Sequence, residues 1–103
     1  MFDKLQLFEE RGWLCACGCG KRAEHAHHCL IPNLKRFEKY VNTPLNIALV
    51  NGEEHVQQKK FDTDEWRKEF YRQNVLRYGQ EAMDEWINSL PDKLRYRIDW
   101  LDK

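Results

Sequence analysis

The chain of 103 residues, 42% hydrophobic and 33% charged, has room for one domain with a single core. Its 17 basic and 17 acidic side chains cancel, which argues against a broad electrostatic attraction to nucleic acid. No apolar run approaches bilayer-spanning length and the amphipathic start MFDKLQLFEERGW does not read as a signal peptide, so a cytoplasmic protein is expected, its four cysteines thiols or metal ligands rather than disulfides.

Phe2, Leu5 and Phe8, with charges between them, predict a short helix over 2–11 that Gly12 ends. WLCACGCGKR follows, with Cys15, Cys17 and Cys19 alternating around Gly18 and Gly20, and reads as a tight turn or metal knuckle. AEHAHHCLI, bounded by that turn and by Pro32, reads as a strand. PNLKRFEKYVNTPLN is a basic and aromatic connection, and NIALVNG a second strand that stops at Asn51-Gly52. EEHVQQKK, residues 53–60, opens with acids and closes with lysines, as a helix dipole favours.

Helices dominate the remainder. DTDEW starts one, with Asp62 as N-cap and Glu65 three residues on. Trp66, Phe70, Asn74 and Tyr78 then recur every fourth residue until Gly79. A further helix carries Ala82, Met83, Trp86, Ile87 and Leu90, and a last one follows Pro91 with Leu94, Ile98 and Leu101. These stripes read as core packing. The expected fold is α+β, one domain over 1–103.

The chemistry concentrates in RAEHAHHCLIPN, which puts His25, His27 and His28 within four positions, followed by Cys29. His55 lies 27 residues beyond His28 on the helix predicted over 53–60. Two antiparallel strands with a helix across them bring His27, His28 and His55 together. Imidazole suits a divalent first-row metal, and a free histidine titrates where a general base must at neutral pH. A metal beside such a base hydrolyses phosphodiesters: the cation neutralises phosphate and leaving oxygen while the base deprotonates water. Neighbours in a regular strand face opposite ways, so His27 and His28 serve one site only if the strand bends or ends there. His25 shares a face with His27, as a third ligand, a substrate contact or a solvated histidine. Residues 21–60 carry seven Lys or Arg against four Glu, while residues 61–103 carry eight basic against ten acidic, so the histidine-bearing half is the basic one.

AEHAHHCLIPN followed by PLNIALVNGEEH resembles the HNH endonuclease motif of the ββα-metal fold. The likeness covers residues 13–60 and includes the nine-residue spacing from Asn46 to His55. It implies a ββα-metal core over 13–60 with an N-terminal helix and a helical extension over 61–103. The implied activity is hydrolysis of DNA to 5′-phosphate and 3′-hydroxyl ends, with one divalent ion (Mg, Mn, Ni or Zn). His28 would be the general base, His27 and His55 the metal ligands, and Asn46 the residue that holds the loop and the orientation of His28. Some members add a fourth-residue histidine after the helical one, where this chain has Lys59. One such site nicks one strand; cutting both takes a homodimer or two visits. Small stand-alone members are frequent in phages and mobile elements, whose proteins are candidate partners.

Many relatives also pair two CxxC motifs around a zinc. The second pair would fall here at Asn51 and Glu54, so Cys15, Cys17 and Cys19 are left either to hold a structural zinc or as buried or free thiols. Candidate substrate contacts are His25, Lys35, Arg36 and Lys39, interleaved with Phe37 and Tyr40, together with Lys59, Lys60, Arg67 and Lys68. Arg95 and Arg97 read as a solvated face. The rival from another class is a non-catalytic zinc module in which the cysteines and one or two histidines hold a structural ion and the basic face binds nucleic acid or a protein.

Overall fold

The computed structural model describes residues 3–53 and 60–102. Helix α1 spans Lys4–Glu10, capped by Asp3, whose carboxylate accepts from the Gln6 amide at 3.2 Å. Gly12, at φ +73°, ends it by turning the chain through a conformation that costs a residue without Cβ nothing. Leu7 and Phe8 form its buried face, whereas Leu5, predicted to share that face, is 58% exposed. A bridge between Leu14 and Arg22 then closes the cysteine turn.

Strands β1, His25–His28, and β2, Ile47–Val50, pair antiparallel, with His25 opposite Val50 and His28 opposite Ile47. Both are shorter than the predicted strands. All four residues of β2 are buried, because the pleat sends its side chains to two different cores. Ile47 and Leu49 join Leu7, Phe8 and Ala23 on the side that α1 covers. Ala48 and Val50 join Phe61, Phe70, Met83 and Leu94 on the side covered by the C-terminal helices. The hairpin is thus the middle layer of a helix–sheet–helix arrangement.

The connection between the strands contains a 3₁₀ turn, Lys35–Phe37, helix α2, Glu38–Val41, and a second 3₁₀ turn, Pro44–Asn46. After β2, residues 52 and 53 are helical. Residues 54–59 of the helix predicted over 53–60, including His55 and Lys59, lie outside the described residues, and Lys60 stands in a turn.

Helix α3, Asp64–Tyr78, buries Phe70 and Asn74. Its N-cap is Thr63, whose hydroxyl accepts from the Trp66 amide at 3.2 Å, and not Asp62. The Asp62 carboxylate is engaged instead by the Arg67 guanidinium. Helix α4, Gln80–Ser89, buries Met83 and Trp86, and α5 is the single turn Asp92–Arg95. The predicted last helix breaks into 3₁₀ turns over Tyr96–Asp102, with non-helical backbone at Ile98. The fold is α+β. Among the described residues no helix is long and apolar enough to cross a membrane.

Candidate functional site

In β1 His27 lies opposite Ala48 and His28 opposite Ile47, so the pleat sends their side chains to opposite faces of the hairpin, and they meet only at the strand's end. His27 and His28 both line one cleft of about 380 Å³, together with Ala26, Leu30, Asn33 and Arg67. The His27 ring lies 6.0 Å from Phe61 and 6.2 Å from Phe70, centroid to centroid, so an aromatic wall backs it. His28 also lines a second hollow on the α2 side, with Lys4, Glu38 and Asn42. His25 is exposed and does not line the cleft. Its ring lies over Gly52, where a Cβ would fall 2.7 Å from Nε2, so the helical start after β2 passes directly beneath it.

Asn46 is fully buried and uses its whole amide. Oδ1 accepts from the Leu30 and Ile31 amides at 2.9 and 2.8 Å, and Nδ2 donates to the carbonyls of Ile31 and Val41 at 2.9 and 3.0 Å. Its own carbonyl accepts from the Cys29 amide at 2.9 Å. One side chain therefore ties the chain leaving β1 to the connection that leads into β2. From the other side, the Ile47 carbonyl accepts from the Arg11 guanidinium at 2.7 Å and from the Asn74 amide at 3.2 Å. Arg11 and Asn74 are structural supports that the sequence reading missed.

The His28 ring has a different partner from the Asn46 that was expected to orient it. Nε2 lies 2.7 Å from Asn42 Oδ1, and Asn42 Nδ2 donates to the Glu38 carboxylate at 3.2 Å. A carboxylate only accepts, so the amide nitrogen must face Glu38 and the amide oxygen must face His28. An oxygen facing Nε2 requires a proton there. In the neutral ring this leaves Nδ1 with the lone pair. The signal for this chain of contacts was present in the sequence: Glu38 and Asn42 are spaced by four, as neighbours on a helix face are.

Arg67 stands at the cleft and is held by Asp62 and by Asp64, the latter at 2.9 Å. Lys60 stacks its ammonium 5.7 Å from Phe61 and 5.4 Å from Trp66. Phe61 itself lines the cleft, so Lys60 borders it. Lys39 lies over Tyr40 at 5.0 Å, and Lys35 is exposed; neither lines the histidine cleft. Arg36 lines a separate groove.

The cysteines of the knuckle converge. The sulfurs of Cys15, Cys17 and Cys19 all lie within 4.8 Å of one another, with Cys15 and Cys17 at 3.3 Å, and the three could hold a metal ion. Gly18, at φ +83°, permits the turn that a straight strand of alternating cysteines forbids. The Asn51 amide donates to the Cys15 sulfur at 3.2 Å, and the Gln73 amide reaches the Ala16 carbonyl at 2.9 Å. The knuckle is therefore docked on the end of β2 and on α3. Burial pushes the Cys17 thiol up to about 12, and hydrogen bonding with Cys15 and Cys19 adds to it. Cys29, wholly buried beside the hairpin, is likewise raised to about 12 by desolvation and belongs to the core.

Comparison with protein-family models, with curated proteins and with solved structures finds no match.

Proposed function

We propose that the chain is a divalent-metal-dependent DNA endonuclease of the HNH type, built on a ββα-metal core that nicks one strand. The observation that carries this reading is that His27 and His28 both border one cleft at the end of β1, with the His28 ring held by Asn42, itself bonded to Glu38. In this reading His28 Nδ1 takes a proton from the water that attacks the phosphorus, and the Nε2–H···Oδ1 bond stabilises the imidazolium that results. The hairpin followed by helical backbone at residues 52 and 53 supports the ββα order. His27 would hold the ion, with His55 beyond the described residues as its second ligand. When bound, such an ion supplies charge neutralisation at the phosphate and the leaving 3′ oxygen. Lys60 and Arg67, beside the cleft, would meet the phosphates that flank the cut.

The test is conversion of supercoiled plasmid to the open circle with Mg²⁺, Mn²⁺, Ni²⁺ or Zn²⁺. Nicking with at least one ion supports the reading. Its absence with all of them, by protein that is folded by circular dichroism, removes it.

Asn42 offers a sharper check. Asn42→Ala removes the partner that fixes the ring, and the nicking rate is expected to fall by roughly tenfold to a hundredfold, within the range general-base catalysis spans. Asn42→Asp puts an anion beside the ring, which favours the imidazolium over the neutral base. The acid limb of the pH–rate profile then moves to higher pH, because a base that stays protonated longer works only in more alkaline solution. A profile identical to wild type in both variants would mean that Asn42 does not act through His28.

The cysteine cluster supports zinc at a second, structural place. Thiolate ligands select zinc among the common borderline ions, and Zn–S bonds of about 2.3 Å put sulfurs about 3.8 Å apart on a tetrahedron. A Cys15–Cys17 separation of 3.3 Å, with all three sulfurs within 4.8 Å of one another, is compatible with that spacing. Zinc measured by atomic absorption is expected near one equivalent in wild type and in His28→Ala, and well below half in Cys19→Ser. Cys19 is exposed, so that variant should still fold. Undiminished zinc in Cys19→Ser would exclude the site. The zinc-module alternative takes its support from this cluster, and it differs in predicting no cleavage with any ion.

A further inference from the structure

The C-terminal 3₁₀ segment brings residues to the surface beside the histidine cleft that no periodicity pointed to. A groove of about 310 Å³ is lined by Leu34, Arg36, Phe37, Lys93, Tyr96 and Arg97. It has three cations, two aromatic rings and no carboxylate among its lining residues. Each arginine sits by a ring: Arg36 lies 5.5 Å from the Phe37 centroid and Arg97 5.5 Å from that of Tyr96. Tyr96 is 61% exposed. Arg97 Nε is buried without a hydrogen-bond partner, and among the described residues no ion pair joins Arg36, Lys93 or Arg97 to a carboxylate. Arg95, by contrast, turns back onto the carbonyls of Asn88 and Leu90 as a cap for α4.

A third hollow lies between the groove and the histidine cleft. It shares Leu30, Pro32 and Arg67 with the cleft and shares Tyr96 and Arg97 with the groove. Asp64 and Asp99 stand in that hollow, the first already bonded to Arg67, so the uncompensated cations lie in the groove beyond it.

We propose that this groove binds single-stranded DNA running out of the histidine cleft, its phosphates on Arg36, Lys93 and Arg97 and unstacked bases on Tyr96 and Phe37. The proposal rests on the DNA reading above and adds a substrate class to it. Cations alone would suit any phosphate backbone. An exposed ring, however, gains stacking only from a base that is not already stacked inside a duplex, so the pairing of rings with cations selects single strands. The same pairing gives the arginines, which no carboxylate neutralises, a role beyond solvation.

The test is fluorescence anisotropy with His28→Ala protein and no added divalent ion, which separates binding from cleavage and leaves any knuckle zinc in place. A labelled single-stranded oligonucleotide is compared with a blunt duplex of the same sequence. Single strands should bind more tightly than the duplex, and Tyr96→Ala should weaken them about tenfold, a single stacking contact. The double variant Lys93→Ala/Arg97→Ala should reduce the slope of log affinity against log salt by about 1.4, two phosphate contacts on a single strand. Arg72→Ala, whose guanidinium is exposed and bonded to Glu69, should change neither. Equal affinity for the duplex, or wild-type affinity and salt slope in the groove variants, overturns the proposal. Groove-dependent binding without nicking by wild type would leave the groove standing and remove the nuclease. Nicking by wild type with neutral groove variants would do the reverse.

Discussion

His28→Ala is expected to lower plasmid nicking by about 10²- to 10⁴-fold with every active ion, the range a positioned general base contributes. The ring is only half buried, at the end of β1, and it bonds to the half-buried Asn42, which in turn bonds to the exposed Glu38. Its removal leaves no buried polar group orphaned, so thermal stability should change by less than about 1 kcal/mol. The variant therefore separates chemistry from folding. His27→Ala, assigned to the ion, should behave differently, with activity partly restored at higher metal concentration. A His28→Ala protein that nicks at the wild-type rate would show that the base lies elsewhere.

Asn46→Ala is expected to cost about 3–5 kcal/mol of stability. The substitution strands two amides and two carbonyls in a fully buried position, and each loses a partner that water cannot replace. Against a total stability of about 5–15 kcal/mol for a domain, this is a large fraction. At about 4–8 °C per kcal/mol for a chain of this size, the melting temperature should drop by at least about 12 °C. Asn46→Asp should not rescue it, because a carboxylate keeps the two acceptor contacts, loses the two donor contacts and buries a charge. Thermal and urea denaturation measure the effect. A loss below 1 kcal/mol would mean that the loop between β1 and α2 repacks without this amide.

The elements were legible where local chemistry decides them. The apolar stripes and the glycines at 12 and 79 located helix ends to within a few residues. Errors fell where two local solutions compete. Thr63 and Asp62 are both good N-caps, and which one caps α3 depends on where Arg67 reaches, because the guanidinium takes the Asp62 carboxylate. Leu5 matched the helical stripe with Phe8, yet the hairpin meets α1 on the Leu7 and Phe8 side.

The candidate site divides along the same line. That histidines 27 and 28 belong to one strand, that the next follows Asn46 directly, and that Gly18 permits a turn among the cysteines followed from the order of residues, since spacing and turn chemistry act over a few positions. Which face of the hairpin each histidine takes is set by the pairing register, with His27 opposite Ala48 and His28 opposite Ile47. The partner of the His28 ring, the support of Ile47 by Arg11 and Asn74, and the meeting of Arg36 with Arg97 are contacts between residues far apart in the chain. Such contacts arise when separate hydrophobic faces are buried against one another, and no local pattern records which polar side chains that burial brings together.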